Sequence, residues 1–155
     1  MLADEILVEL QEIKKLLRVI AMSPKYWEYK PIRTDTLYVI PAGGKSTVLD
    51  IKETGKLIAI VAITNNPDVY VVLSFDGERM GKTLRELYES GFTSYNPAYF
   101  WIVKWDEQNN RYIAAFTPAE PIMYFGHFEF TVYAPRDSPA TVSYVVHRYR
   151  LKEVI

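Results

Sequence analysis

Residues 55–78 read GKLIAIVAITNNPDVYVVLSFDGE, and this stretch decides the fold class. It contains two runs rich in β-branched residues, Leu57–Thr64 and Val69–Phe75, separated by the turn-forming sequence NNPD. An Asp76-Gly77 pair follows the second run, which is typical of a turn after a strand. The pattern therefore predicts two consecutive β-strands.

The first of these runs is unusual because both alternating sets of its side chains are apolar. A strand in a sandwich normally has one face toward water. We therefore expect Leu57–Thr64 to be a central strand with both faces covered. The cover would come either from other elements of the same chain or from another subunit, and the sequence leaves both possibilities open.

Runs of the same kind continue on both sides, with turn residues between them. They are Thr36–Ile40, Ser46–Lys52, Tyr99–Trp105, Tyr112–Phe116, Phe128–Tyr133 and Thr141–Leu151. About eight short strands at this spacing predict a mainly β domain, an antiparallel β-sandwich or a jelly-roll-like fold. One stretch differs: Lys82–Ser90 has apolar residues at helical spacing and is followed by Gly91. We expect it to form a short helix that crosses between sheets.

The N-terminal residues follow a heptad pattern that predicts an α-helix. Its apolar a and d positions, which we call the seam, are Ala3, Ile6, Leu10, Ile13, Leu17 and Ile20. Pro24 ends the predicted helix because proline has no amide donor and clashes with the preceding turn. Residues 24–35, PKYWEYKPIRTD, then predict an extended aromatic linker. The chain accordingly divides into an oligomerisation helix (1–23), this linker (24–35) and a β-sandwich domain (36–155).

The seam predicts self-association, since one amphipathic helix of this length does not remain alone in water. Leucine at a and isoleucine at d favour bundles larger than dimers, and Leu7 and Leu16 widen the apolar stripe. We therefore expect a homo-oligomer, with a trimer favoured and an interface formed by Ile6, Leu10, Ile13, Leu17 and Ile20. The alternative is a helix folded back onto its own sandwich. A membrane-surface helix is disfavoured because the polar face is mixed rather than basic.

Composition excludes several other classes. The 155 residues contain no cysteine, which excludes disulfides and thiolate metal sites. The net charge of −1 argues against sequence-independent binding to nucleic acid. Acidic residues interrupt the first segment, so it does not resemble a signal peptide, and no run approaches the roughly 20 apolar residues of a membrane span. We expect a soluble protein, cytoplasmic or part of a virion, that binds neither nucleic acid nor membranes.

A search for chemistry finds no catalytic, cofactor or metal site. The run AGGKST at 42–47 ends like a phosphate-binding loop, but the upstream glycine is absent and strand periodicity follows. The two histidines, His127 and His147, lie outside ligand-spaced clusters and are interpreted as structural. Asp76, Glu78 and Glu120 are dispersed carboxylates, whose pairing would be spatial. The sequence therefore favours a protein that is not an enzyme.

Two side-chain patterns remain as candidate binding surfaces. Basic residues concentrate near the C-terminus, at His147, Arg148, Arg150 and Lys152. They could form a nucleic-acid-binding stripe, but we favour the solvated face of an edge strand. Strand alternation would put Trp101 and Trp105 on one face of their strand, and two tryptophans on one face can stack on a sugar ring. A carbohydrate-binding module using this platform is the alternative function.

The overall layout resembles the capsid-decoration, tail and fibre proteins of viruses and phages. They too combine a short oligomerising helix, a connector and a compact β-sandwich, and residues 55–78 are similar to the paired strands with an Asp-Gly turn of phage structural sandwiches. The resemblance implies a non-enzymatic structural role in a particle, with other particle subunits as partners, and it assigns no functional residue. The cysteine-free, tyrosine-rich composition also suits a hot environment.

Overall fold

The computed structural model describes residues 2–22, 27–33 and 38–151, together with their side chains except those of residues 2, 16–22 and 46–49. Within these ranges the chain is mainly β, with two antiparallel sheets, an N-terminal helix and one short internal helix. The helices are α1 (Leu2–Met22) and α2 (Leu84–Glu89), so both predicted helices are confirmed.

The strands, in chain order, are β1 (Trp27–Tyr29), β2 (Ile32–Arg33), β3 (Tyr38–Ile40), β4 (Lys45–Ile51), β5 (Gly55–Thr64), β6 (Tyr70–Phe75), β7 (Glu78–Thr83), β8 (Phe100–Asp106), β9 (Arg111–Phe116), β10 (Ile122–Tyr124), β11 (Phe128–Tyr133) and β12 (Ala140–Leu151). The larger sheet has the order β1-β12-β5-β9-β8, with β2 and β3 also on β12 and β10 on β5. The smaller sheet has the order β4-β11-β6-β7.

Every predicted strand has a counterpart, although Thr36 and Leu37 of the first lie outside the described residues. Four strands were not predicted. β1 and β2 fall in the segment predicted as an extended aromatic linker, and both pair with β12, so the described part of that segment belongs to the sheet. β7 escaped prediction because ERMGKT is mostly polar, as suits an edge strand, and β10 has only three residues.

The two apolar faces of β5 have different surroundings. Leu57, Ile60 and Ala62 point into the core and are buried, whereas Val61 and Ile63 lie on the outward face and are partly exposed. β5 is central, between β12 on one side and β9 and β10 on the other. Other elements of the same chain therefore cover the inward face of β5. A subunit contact on the outward face stays a prediction.

Both sheets contribute to one hydrophobic core. Phe128 and Phe130 of the smaller sheet belong to the same buried cluster as Phe100 and Phe116 of the larger one. The ring centroids of Phe75, on the smaller sheet, and Phe116 are 6.4 Å apart, which is a normal aromatic contact. These aromatic residues therefore join the two sheets.

The short helix and the Asp-Gly turn form where the sequence predicts them. Asp76 and Gly77 both have positive φ, 46° and 91°, as a two-residue hairpin of type I′ requires, and they join β6 to β7. Thr83 caps α2, because its side-chain oxygen accepts a hydrogen bond from the backbone N–H of Glu86. Leu84 and Leu87 bury the inner face of α2. The run at 42–47 forms a turn followed by β4, a strand and not a helix, so it is no phosphate-binding loop.

We predict that Gly55→Ala destabilises the fold strongly. A Cβ at this position would collide with the phenol ring of Tyr124, which lies over Gly55 across the β5–β10 pair, and would lie 2.8 Å from the carbonyl oxygen of Tyr149. Overpacking of this kind costs about 1–3 kcal/mol of unfolding free energy. Chemical denaturation measures it, with Gly126→Ala as the control, since a Cβ there meets only an Asp76 oxygen at 3.6 Å. Equal stabilities for the two variants would contradict the packing of Tyr124 on Gly55.

Candidate functional site

The exposed surface of α1 is the first candidate site. Every side chain from Ala3 to Lys15 is exposed in the single chain. Among the seam residues, Ile6, Leu10 and Ile13 are 51 %, 58 % and 52 % exposed. The sheets of the same chain therefore leave this part of the seam uncovered. The side chains of Leu17 and Ile20, also assigned to the interface, lie outside the described residues.

The segment after α1 is attached to the larger sheet through two aromatic side chains. Trp27 is buried, and the ammonium group of Lys56 lies 4.4 Å from the centre of its ring. The hydroxyl of Tyr29 lies 2.6 Å from Nδ1 of His147. His147 is therefore a partnered residue of the β1–β12 pair, in agreement with its interpretation as structural.

The expected face shared by Trp101 and Trp105 does not form. The register of β8 against β9 shifts between Ile102 and Lys104, so Val103 is an extra, bulged residue. A bulge reverses the alternation that follows it. Trp105 therefore lies opposite the core residue Tyr112, whereas Trp101 lies opposite Ala115 on the outward face.

Each tryptophan instead has partners of its own. The ring of Trp105 stacks on Tyr88 of α2 with a centroid distance of 4.2 Å, and it packs against the core. The indole N–H of Trp101 donates a hydrogen bond to Oγ1 of Thr117 at 2.8 Å, and its ring meets the edge of Tyr95. The prediction of a two-tryptophan platform is therefore wrong in its geometry, and the carbohydrate-binding alternative loses the observation that supported it.

The basic residues of β12 form ion pairs with acidic residues. Arg148 is almost fully buried, and its Nη1 lies 2.5 Å from Oε1 of Glu53. Arg150 donates a hydrogen bond to Glu28 at 2.9 Å. Lys152, the fourth member of the predicted basic face, lies outside the described residues. β12 lies between β1 and β5, so the expectation of an edge strand is wrong, and Arg148 is buried rather than solvated. In the described part of the strand, these ion pairs connect β12 to neighbouring segments.

A group that the sequence did not bring together lies on the outward face of the smaller sheet. Nε2 of His127 is 2.7 Å from Oδ1 of Asp50 and 3.7 Å from Oε2 of Glu129. One potential ligand atom from each of the three residues lies within 4.8 Å of the others. Asp50 is 77 residues away from His127 in the chain, so ligand spacing could not reveal the group. The three side chains meet because β4 pairs with β11 in one register, and the sequence does not reveal that register.

Asp76 holds the backbone beside this group. Its Oδ2 accepts a hydrogen bond from the N–H of Phe125, and its Oδ1 accepts from those of Gly126 and His127, all at 2.8–2.9 Å. Burial raises the pKa of Asp76, but the three N–H donors together outweigh burial, so the pKa lies below its ordinary value. A carboxyl group kept ionised in this way is unsuited to be a general acid.

The three dispersed carboxylates do not share one site. Asp76 and Glu78 both line a shallow pocket of about 260 Å³, and Glu120 does not line it.

No family model matches this sequence, and no curated protein matches it. Among the described residues, neither helix combines the length and the hydropathy that crossing a membrane requires.

We predict that Asp76→Asn lowers stability at neutral pH and that the effect disappears in acid. The asparagine keeps the tolerance for positive φ but loses the charge that the three N–H groups face. We expect a loss of about 1 kcal/mol, because the carboxylate is exposed and its hydrogen bonds are partly screened. A lowered native pKa stabilises the fold above the unfolded pKa of about 3.9, and this stabilisation is lost as the pH falls through the native value.

The test is urea denaturation from pH 7 to pH 3 in buffer containing a chelator. The gap between wild type and Asp76→Asn should be widest near neutrality and should narrow below about pH 4. Glu78→Gln is the matched control, as an acid-to-amide change at an exposed position in the same hairpin. A gap that does not change with pH would show that the carboxylate charge has no part in this stabilisation.

Proposed function

We propose that this protein is a non-enzymatic structural protein that assembles with copies of itself through α1. The observation that carries the proposal is the exposure of the seam: Ile6, Leu10 and Ile13 are each more than half exposed in the single chain. Covering a large aliphatic side chain contributes about 1.5–3 kcal/mol as an upper estimate. Three or more such residues per chain can therefore hold a bundle together against the cost of association.

A parallel trimer is the favoured assembly. Leucine at a and isoleucine at d disfavour a two-stranded coil, and Leu7 at an e position widens the apolar stripe. Glu9 at g and Lys14 at the following e position would form interchain ion pairs between parallel helices. Both residues are exposed in the single chain and available for such pairing.

We propose further that the two sheets form a β-sandwich, because residues of both contribute to one core. Its crossings are jelly-roll-like where β4, β5 and β6 alternate between the sheets. The resemblance to phage structural sandwiches extends the proposal to a virion or appendage component. That extension is supported by the layout of helix and β domain alone.

Substitutions in the full-length chain test the helix interface. We expect Ile6→Asn and Ile13→Asn, each at a d position, to reduce the assembly to monomers, because each buries an amide in an apolar seam. Val8→Asn is the matched control: it is also an aliphatic-to-amide change at an exposed site, but at an f position facing away from the seam. Light scattering coupled to size-exclusion chromatography gives the mass, and the wild type should be close to three times 18.0 kDa.

A second variant separates assembly from folding. Deleting residues 1–22 should leave a monomer with the circular dichroism of a β protein, because no side chain from Ala3 to Lys15 is buried against the sheets. A wild type that is monomeric at all concentrations would refute the proposal. So would an oligomer that survives both the d-position substitutions and the deletion, since the contact would then lie outside α1.

A further inference from the structure

The outward face of the smaller sheet carries two carboxylates directly opposite each other. Asp50 of β4 and Glu129 of β11 are register partners in this antiparallel pair. Side chains so placed have their Cβ atoms about 4.5–5.5 Å apart, and like charges in this arrangement are destabilising. A cation between them would remove that cost, and His127, two residues before Glu129, is on the same face.

The three side chains present the donor atoms of a metal site. Nε2 of His127 is 2.7 Å from Oδ1 of Asp50 and 3.7 Å from Oε2 of Glu129. Zinc bonds to imidazole nitrogen and carboxylate oxygen of about 2.0–2.2 Å put tetrahedral ligand atoms roughly 3.3 Å apart. The distances from His127 to Asp50 and Glu129, 2.7 Å and 3.7 Å, lie below and above this value. Small side-chain rotations would therefore bring the ligand atoms to tetrahedral spacing.

Residues outside the group hold the ligands in place. Thr131, which is 2 % exposed, donates a hydrogen bond from Oγ1 to Oε1 of Glu129 at 2.9 Å, and the other oxygen, Oε2, is the one near His127. Asp76 fixes the backbone on which His127 stands, through the N–H of His127 and its two predecessors. Such outer partners are typical of metal sites, where they orient the ligands.

We propose that Asp50, His127 and Glu129 bind one divalent transition-metal ion of the zinc class. The imidazole nitrogen selects zinc, nickel, cobalt or copper over magnesium and calcium, which prefer oxygen ligands. The side chains of the three residues are 33–42 % exposed, so water completes the coordination shell. The bound ion links β4, the outermost strand of its sheet, to β11. This proposal is independent of the assembly through α1.

Zinc binding to the full-length protein tests the proposal. After treatment with a chelator and its removal, isothermal titration with ZnCl₂ should give saturable binding of one ion per chain, and MgCl₂ should give none. His127→Gln should lower the zinc affinity at least about 10-fold. The protein has one other histidine, so His147→Gln is the matched control and should bind zinc like the wild type. Thr131→Val should weaken binding about 10-fold by releasing Glu129.

Two results would overturn the proposal. One is the lack of saturable zinc binding up to millimolar concentration, which would leave His127 and Asp50 as a hydrogen-bonded pair without metal. The other is binding that His127→Gln leaves unchanged, since the ion would then lie elsewhere. Should His127→Gln fail to fold by circular dichroism, Glu129→Gln gives the same test, because it removes a ligand and the opposed charge together.

Discussion

The fold depends on the pairing of β5 with β12. This antiparallel pair runs through most of both strands, and it has one irregularity, between His147 and Arg148. Every other strand of the larger sheet is hydrogen-bonded to one of these two or to β9, which itself pairs with β5. Because both strands have buried residues along their whole inward face, a slip of one residue would turn those side chains away from the core. The register of β5 on β12 thus positions the larger sheet, and with it the aromatic contacts to the smaller one.

The sequence was informative where a local pattern has a single physical outcome. The heptad pattern of α1 and the Asp-Gly turn each depend on neighbours in the chain, and the predicted helix and turn are both seen. It was uninformative where the outcome depends on a partner strand. The bulge at Val103 places Trp101 and Trp105 on opposite faces of β8, and no sequence pattern near Val103 predicts this change of register. The group around His127 likewise exists because β4 pairs with β11 in one register, which fixes Asp50 opposite Glu129.

The larger and the smaller sheet carry different arrangements of charged side chains. Ion pairs tie β12 to its surroundings through Glu53 and Glu28, so arginines that resemble a binding stripe in the sequence serve the fold. The opposed acids on the smaller sheet lie beside the imidazole of His127 instead. Each of these arginines has a carboxylate partner in the chain, whereas the two opposed carboxylates are the proposed site of a divalent cation. The described side chains of the seam of α1 are, in contrast, all apolar.

The edge strand β7 has a consequence for how copies of this domain can meet. Glu78, Arg79 and Lys82 are exposed along it, so a neighbour that added a strand there would have to bring its own backbone against ionised side chains. β8 is an edge strand of the larger sheet, and its bulge interrupts the regular row of backbone N–H and C=O groups that an added strand would need. Addition of a further strand, as in the growth of an amyloid fibril, is thereby discouraged at these two edges, β7 and β8. Copies of this domain held close together are therefore kept from pairing through β7 or β8.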